Sequence, residues 1–219
     1  NTLDWQRVTA NIELYTLSWV MDGLTRYKHG KIIPALAEKW DISDDGKVYT
    51  FHLRDAKWTD GQPVKADDFK YGWLRALDPA DPMDYAYFLY DIVGAQEFNS
   101  NKGKAEDVAI KVIDDKTLEV TLKRPVTYFD YLVSFATYYP TRKDIVEKYG
   151  TKFNAEAENF VTCGPFKVET WKHESEMTFV KNMDYWNASE IKLEKIIGPY
   201  IADDQTEFNM YEAEELDMT

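Results

Sequence analysis

The stretch from Trp40 to Leu77, WDISDDGKVYTFHLRDAKWTDGQPVKADDFKYGWLRAL, constrains the fold more than any other part of the chain. Tyr49, Phe51 and Leu53 fall on one face at period two, and Lys47, Thr50, His52 and Arg54 mark a mostly polar opposite face, which predicts a half-buried antiparallel strand over 47–54. The turn Asp44-Asp45-Gly46 just before it is a hairpin signal, because glycine accepts the positive φ that tight turns demand. A second turn, Trp58-Thr59-Asp60-Gly61, leads through Pro63 into a predicted helix. In that helix Phe69, Trp73 and Leu77 recur at i, i+4, i+8, behind Asp67 and Asp68, whose charge suits a helix N-terminus. A strand pair followed by a helix that lays an aromatic stripe on it is an α/β unit.

Elsewhere, residues 1–12 read as an extended arm or loop, and 13–24 as a helix with a broad apolar face. Residues 27–31 read as a turn, and 34–40 lead back into the hairpin. After Leu77 two Asp-Pro steps interrupt the helical pattern before the aromatic group Tyr85, Tyr87, Phe88 and Tyr90. VAIKVID and TLEVTLK, joined at Asp114-Asp115-Lys116, predict a second hairpin able to share a sheet with the first. An aromatic helix is expected over 128–135, and another over 142–150 with Thr141 as its N-cap. Beyond Phe160 the pattern turns to strands, over 164–172, 176–182 and 192–201, then a helix over 203–212 and the start of a strand at 215–218.

The totals exclude several functions. A formal net charge of -13 without a basic stripe argues against a nucleic-acid partner, since phosphate binding needs clustered Lys and Arg. A single cysteine, Cys163, rules out an internal disulfide. No apolar run approaches membrane-spanning length, and no signal segment begins at Asn1, so an exported protein would carry its signal upstream. Cys163 and His173 are separated by a predicted strand and turn, which predicts no contact between a thiol and a base. His29, His52 and His173 lack metal-ligand spacing. The pairs Asp44-Asp45, Asp67-Asp68, Asp114-Asp115 and Asp203-Asp204 sit at turns and helix starts, where local capping accounts for them. No nucleotide-binding glycine loop is present. No metal, cofactor or catalytic residue is therefore expected.

An ordered set of short motifs covers nearly the whole chain: Leu3-Asp4, Asp22-Gly23-Leu24-Thr25-Arg26-Tyr27, the segment from Pro34 to Trp40, Tyr49 to Arg54, and Lys57-Trp58-Thr59-Asp60-Gly61. It continues with Val64 to Phe69, Leu118 to Leu122, Cys163-Gly164-Pro165-Phe166, Asn182 to Trp186, Tyr211-Glu212-Ala213 and Glu215-Leu216-Asp217. In order and spacing this set resembles the family 5 extracellular solute-binding proteins, the oligopeptide, dipeptide and nickel receptors of ABC importers. The resemblance implies a type II periplasmic-binding-protein-like α/β fold in a longer two-lobe receptor. Of that fold this sequence would carry part of lobe one plus the small extra α/β domain, with the second lobe absent. The implied division is an arm and start of lobe one over 1–20, the accessory domain over 21–141, and a continuation of lobe one over 142–219.

The same resemblance implies a non-enzymatic receptor that binds oligopeptides between lobes and hands them to ABC permease subunits. It implies an extracytoplasmic location, as a cell-surface lipoprotein or in the periplasm, with any lipid anchor upstream, and a monomer. Alternatives within it are a peptide-pheromone receptor without transport and a nickel, haem or sugar receptor. The arm Val8, Thr9, Ala10 and Asn11 matches the stretch that runs beside bound peptide, where main-chain groups serve any peptide sequence. Tyr85 matches an aromatic position facing the cleft, and Tyr138 falls near a third cleft-lining segment.

Overall fold

The computed structural model describes residues 3–218, so Asn1, Thr2 and Thr219, the ends of the first and last expected segments, lie outside the described residues. In chain order the elements are α1 (Asn11–Val20), β1 (Thr25–Lys28), β2 (Lys31–Pro34), β3 (Ala37–Ile42), β4 (Val48–Leu53), α2 (Ala66–Ala76), α3 (Ala95–Asn99), β5 (Ile110–Asp114), β6 (Thr117–Thr121), α4 (Phe129–Leu132), α5 (Lys143–Tyr149), β7 (Phe166–Lys172), β8 (Glu176–Lys181), β9 (Lys195–Pro199) and α6 (Asp204–Glu212). They form a β1-β2 hairpin, a sheet in the order β3-β4-β6-β5, and a β7-β8-β9 meander, all antiparallel.

The expected strand pairings hold. β4 alternates between half-buried and buried residues, with Tyr49, Phe51 and Leu53 inward, and it pairs with β6 so that Tyr49 faces Val120 and Phe51 faces Leu118. The two hairpins thus share one sheet, whose inner face is aromatic on β4 and β-branched or leucine on β6. At the first turn the Ser43 hydroxyl and the Lys47 amide both donate to the Asp45 carboxylate, which holds that carboxyl below its usual range. α2 lays Phe69 and Trp73 against this sheet, and Leu77 closes the stripe as the helix C-cap.

Tertiary ties override the sequence at several ends. α1 starts two residues earlier than expected and stops at Val20, because Met21 turns extended and the Gly23 and Leu24 carbonyls accept from the amides of Leu36 and Ala37. The turn expected over 27–31 falls at His29-Gly30, and its flanks pair as the β1-β2 hairpin. Thr141 does not cap α5: its hydroxyl accepts from the Trp5 indole at 2.9 Å, and Arg142 takes the N-cap position. The aromatic segment after Pro125 keeps only one helical turn, α4. Residues 215–218 form bends and irregular chain rather than the start of a strand.

The Trp58-Thr59-Asp60-Gly61 turn does more than reverse the chain. Trp58 is buried and its indole donates to Asp68, while the Thr59 amide donates to the Thr162 carbonyl and the Thr59 hydroxyl accepts from the Thr162 amide. Asp60 also meets Arg142 at 3.3 Å. The turn therefore joins the four-stranded unit to the segment that leads into β7.

Candidate functional site

The arm before α1 is pinned on both sides of a short exposed stretch. Upstream, Leu3, Trp5 and Val8 are buried, and the Trp5 ring meets Phe153 edge-on at 5.4 Å. The buried Asp4 carboxylate accepts from the Arg75 guanidinium of α2 at 2.9 Å, and the Gln6 side-chain amide donates to the Gly72 carbonyl. An ion pair at this depth is costly to break from one side only, so it holds the arm firmly against α2. Downstream, α1 begins at Asn11. Between these anchors Thr9, Ala10 and Asn11 are exposed.

Val8 differs from its three neighbours, since its side chain is buried and its amide donates to the Asp4 carbonyl. It is an anchor of the arm. Among the described residues, no main-chain or side-chain acceptor takes the amides of Thr9 and Ala10, nor those of Asn11, Ile12 and Glu13 at the start of α1. Exposed amides of this kind are ready donors for an incoming main chain.

Tyr85 stands beside this stretch. Its hydroxyl donates to the Thr9 carbonyl at 3.4 Å, a long hydrogen bond between residues 76 positions apart. Its ring packs at 5.4 Å from Phe88 and 5.7 Å from Phe135, and edge-on at 6.1 Å from the exposed Tyr87. The structure thus brings the arm and Tyr85 together, with Tyr87, Phe88 and Phe135 beside them as an aromatic wall. No signal in the sequence singled out Phe135: it lies 50 residues from Tyr85 in a segment read simply as an aromatic helix.

Tyr138 corrects the sequence expectation. It is fully buried, its ring meets Trp73 edge-on at 5.1 Å, and its hydroxyl donates to the Phe88 carbonyl at 2.7 Å. Burial raises its hydroxyl pKa far above the ordinary tyrosine value. Its main-chain carbonyl accepts from the Trp73 indole at 2.8 Å. Tyr138 therefore belongs to the core and braces the aromatic wall from behind.

The groups that suggest chemistry are dispersed. Cys163 is buried, which pushes its thiol pKa up and away from a reactive thiolate. His52 pairs with Asp41 at 2.7 Å and His173 with Glu156 at 3.2 Å, each on an exposed face. Among the described residues no group of three or more His, Cys, Asp or Glu side chains converges as metal ligands would. The Asp203 carboxylate caps α6 through the Thr206 amide at 2.8 Å. A wide apolar groove of about 830 Å³ lies elsewhere, between α1 and the β7-β8-β9 meander, lined by Leu3, Ile12, Trp19, Trp171, Phe179 and Tyr200. It contains none of the expected site residues, because an exposed stretch beside a single aromatic wall is a surface rather than an enclosed cavity.

Exposed main-chain donors beside an aromatic wall form a surface of the kind that can receive another main chain. Residues 31–219 match the sequence profile described as bacterial extracellular solute-binding proteins, family 5 Middle, and the chain belongs to this family. It is 43% identical over 209 residues to the dipeptide-binding protein DppE of Bacillus subtilis, covering 94% of this chain and 38% of that protein. It is 45% identical over 199 residues to the oligopeptide-binding protein OppA of the same organism, covering 90% of this chain and 36% of that one. Among solved structures, the substrate-binding domain of an oligopeptide ABC transporter from Bacillus anthracis superposes with a TM-score of 0.95 at 37% identity, over 99% of this chain and 42% of that chain. The fold is therefore the mixed α/β fold of these receptors, and the chain spans less than half the length of each. The family is extracellular by description, and no helix among the described residues is long and apolar enough to cross a membrane.

Proposed function

We propose that this chain forms one wall of the peptide-binding cleft in the extracytoplasmic receptor of an ABC importer, which captures oligopeptides between two lobes and delivers them to the permease. The observation that carries the reading is the juxtaposition of the exposed Thr9-Ala10 main chain, its amides free, with the Tyr85 hydroxyl and the aromatic wall behind it. Main-chain donors and acceptors recognise the repeating part of any peptide, while an aromatic face receives varied side chains with little selectivity. The names of the relatives, a dipeptide-binding and an oligopeptide-binding protein, support the same ligand class.

In this reading 1–20 and 142–219 contribute to lobe one, and 21–141 is the accessory domain that carries Tyr85. The protein works as a monomer, held at the membrane surface by a lipid anchor upstream of the arm. Calorimetric titration of the full-length protein with dipeptides, longer peptides and Ni²⁺ tests the assignment. Saturable heat with peptides and none with Ni²⁺ is expected; binding of Ni²⁺ alone would replace the peptide reading with a metal one.

A further inference from the structure

Three of the sequence motifs take no part in the site just described, yet they meet in one place: Asp22-Gly23-Leu24, Cys163-Gly164-Pro165-Phe166 and Asn182 to Trp186. At their centre Asp22 is buried. Its carboxylate accepts from the Arg26 guanidinium at 3.0 Å, the Tyr185 hydroxyl at 2.8 Å and the Trp186 indole at 3.0 Å. The guanidinium of Arg54, at the end of β4, lies 3.5 Å over the Trp186 ring. The carboxylate therefore ties the exit of α1 to the turn after β8, with β1 and β4 supplying the cations around it.

The main chains close the same joint. The Gly164 amide donates to the Val20 carbonyl at 2.8 Å, and a Cβ at Gly164 would sit 2.4 Å from the Val20 carbonyl carbon, so only glycine permits this approach. Asn182 locks the loop by donating from its side chain to the Gly164 carbonyl at 2.9 Å. On the other side of Asp22, a Cβ at Gly23 would lie 2.7 Å from the Val133 carbonyl oxygen and 3.3 Å from the Tyr139 ring. The chain from Val133 to Tyr139 thus packs directly on the joint.

Two rigid routes lead from this joint to the two halves of the site. Backwards along α1 the chain reaches Asn11, Ala10 and Thr9. Forwards, the 133–139 segment carries Phe135, which packs on Tyr85 at 5.7 Å, and Tyr138, which bonds the Phe88 carbonyl. We propose that Asp22 is a positioning residue for ligand binding: its three-donor bridge fixes the exit of α1 against β1 and the β8–β9 turn, the adjoining Gly23 packs on the 133–139 segment, and the joint so sets the spacing of the Thr9 main chain from Tyr85. This rests on the peptide-binding reading. A charged acceptor shared by three donors is directional, and removing it leaves buried donors unpaired, so the joint has one well-defined geometry.

The test is a double-mutant cycle in the full-length protein, read by calorimetric titration with trialanine and accompanied by thermal melts. Asp22→Asn keeps the volume but replaces one acceptor oxygen with a donor facing donors, and is expected to weaken binding about ten-fold. Tyr185→Phe, which removes one of the three bonds and keeps the ring, is expected to weaken it less. When combined with Tyr85→Phe, either change is expected to cost less than the product of the two single losses, because the second change acts through the contact already removed. Wild-type affinity in both joint variants, or losses that simply multiply, would overturn the positioning role, whatever the change in Tm. Should Asp22→Asn fail to fold, the Tyr185→Phe cycle decides by the same criterion. Failure of the unaltered protein to bind trialanine or longer peptides would instead remove the peptide-binding reading itself.

Discussion

The β3-β4-β6-β5 sheet with α2 and the β7-β8-β9 meander with α6 are both antiparallel sheets accompanied by a helix, yet they bury their apolar residues very differently. In the first, Phe51, Phe69, Trp73, Leu118 and Val120 are all 0% exposed. In the second, Ile197 is 57% exposed, Tyr200 66% and Phe208 50%, and α6 buries no residue. The first unit covers its inner face within the chain and leaves Ile42 and Ile113 of its edge strands exposed. In the second, Trp19 of α1 packs edge-on against Phe179 at 5.4 Å and Phe160 against Trp171 at 6.2 Å, while α6 and the Ile197 side chain lie open. Stability follows closure of a core rather than secondary structure content, so the two regions should respond unequally to the same kind of substitution.

The widest separation between them should come from truncating the central aromatic of the closed unit. Trp73→Ala removes ring packing on Tyr138 and Phe69 and leaves the Tyr138 carbonyl unpaired, and is expected to cost about 3–5 kcal/mol by denaturant unfolding. A cost below about 1 kcal/mol would break the contrast.

Asp68 tests the same unit through pH. Its carboxyl accepts from the Lys65 amide and the Trp58 indole, but burial dominates and pushes its pKa from 3.8 up to about 6. Below about pH 4 both folded and unfolded chains hold the proton. Between about pH 4 and 6 the unfolded chain loses it while the folded chain keeps it, so this group's contribution to stability declines as pH rises through that window. Asp68→Asn keeps an acceptor for both donors and removes that component. The variant's stability relative to wild type should therefore grow by about 2 kcal/mol from pH 4 to pH 7, measured by urea unfolding at each pH. A difference independent of pH would show that the carboxyl is not held protonated.

In the open unit the expected effects are smaller. Asp203→Ala removes the cap of α6 and should cost about 1 kcal/mol of local helix stability, visible as faster hydrogen exchange over 204–212 with little change in global unfolding. Phe208→Ser, on the exposed side of the same helix, should alter unfolding of this chain by less than about 0.5 kcal/mol. A loss there as large as at Trp73 would mean that α6 is packed as tightly as α2.

The legibility of the sequence divides along the same line. β4, β6 and α2 were readable because one face of each is buried, and burial imprints period two on Tyr49, Phe51 and Leu53 and a helical period on Phe69 and Trp73. The ends of α1 and the role of Thr141 were not, because they are set by partners far along the chain: Leu36 and Ala37 for one, Trp5 for the other. Of the site, Thr9, Ala10, Asn11 and Tyr85 came from resemblance to a family, and local pattern alone would have left them as loop and aromatic surface. Tyr138 was misread, since an aromatic in a Tyr-Tyr-Pro run carries no period that distinguishes a cleft wall from a core. The Asp22 joint left its mark only as three short motifs, whose common purpose is visible once Tyr185 and Trp186 are seen to bond a residue more than 160 positions earlier.

In the proposed function, the main chain at Thr9 and Ala10 receives peptide. Hydrogen exchange of the full-length protein, followed by mass spectrometry or NMR with and without saturating trialanine, tests it most directly. The Thr9 and Ala10 amides, free in the ligand-free chain, are expected to become strongly protected when peptide binds, while those of the exposed α6 face are not. Unchanged exchange at Thr9 and Ala10 in a protein demonstrably saturated with peptide would contradict it.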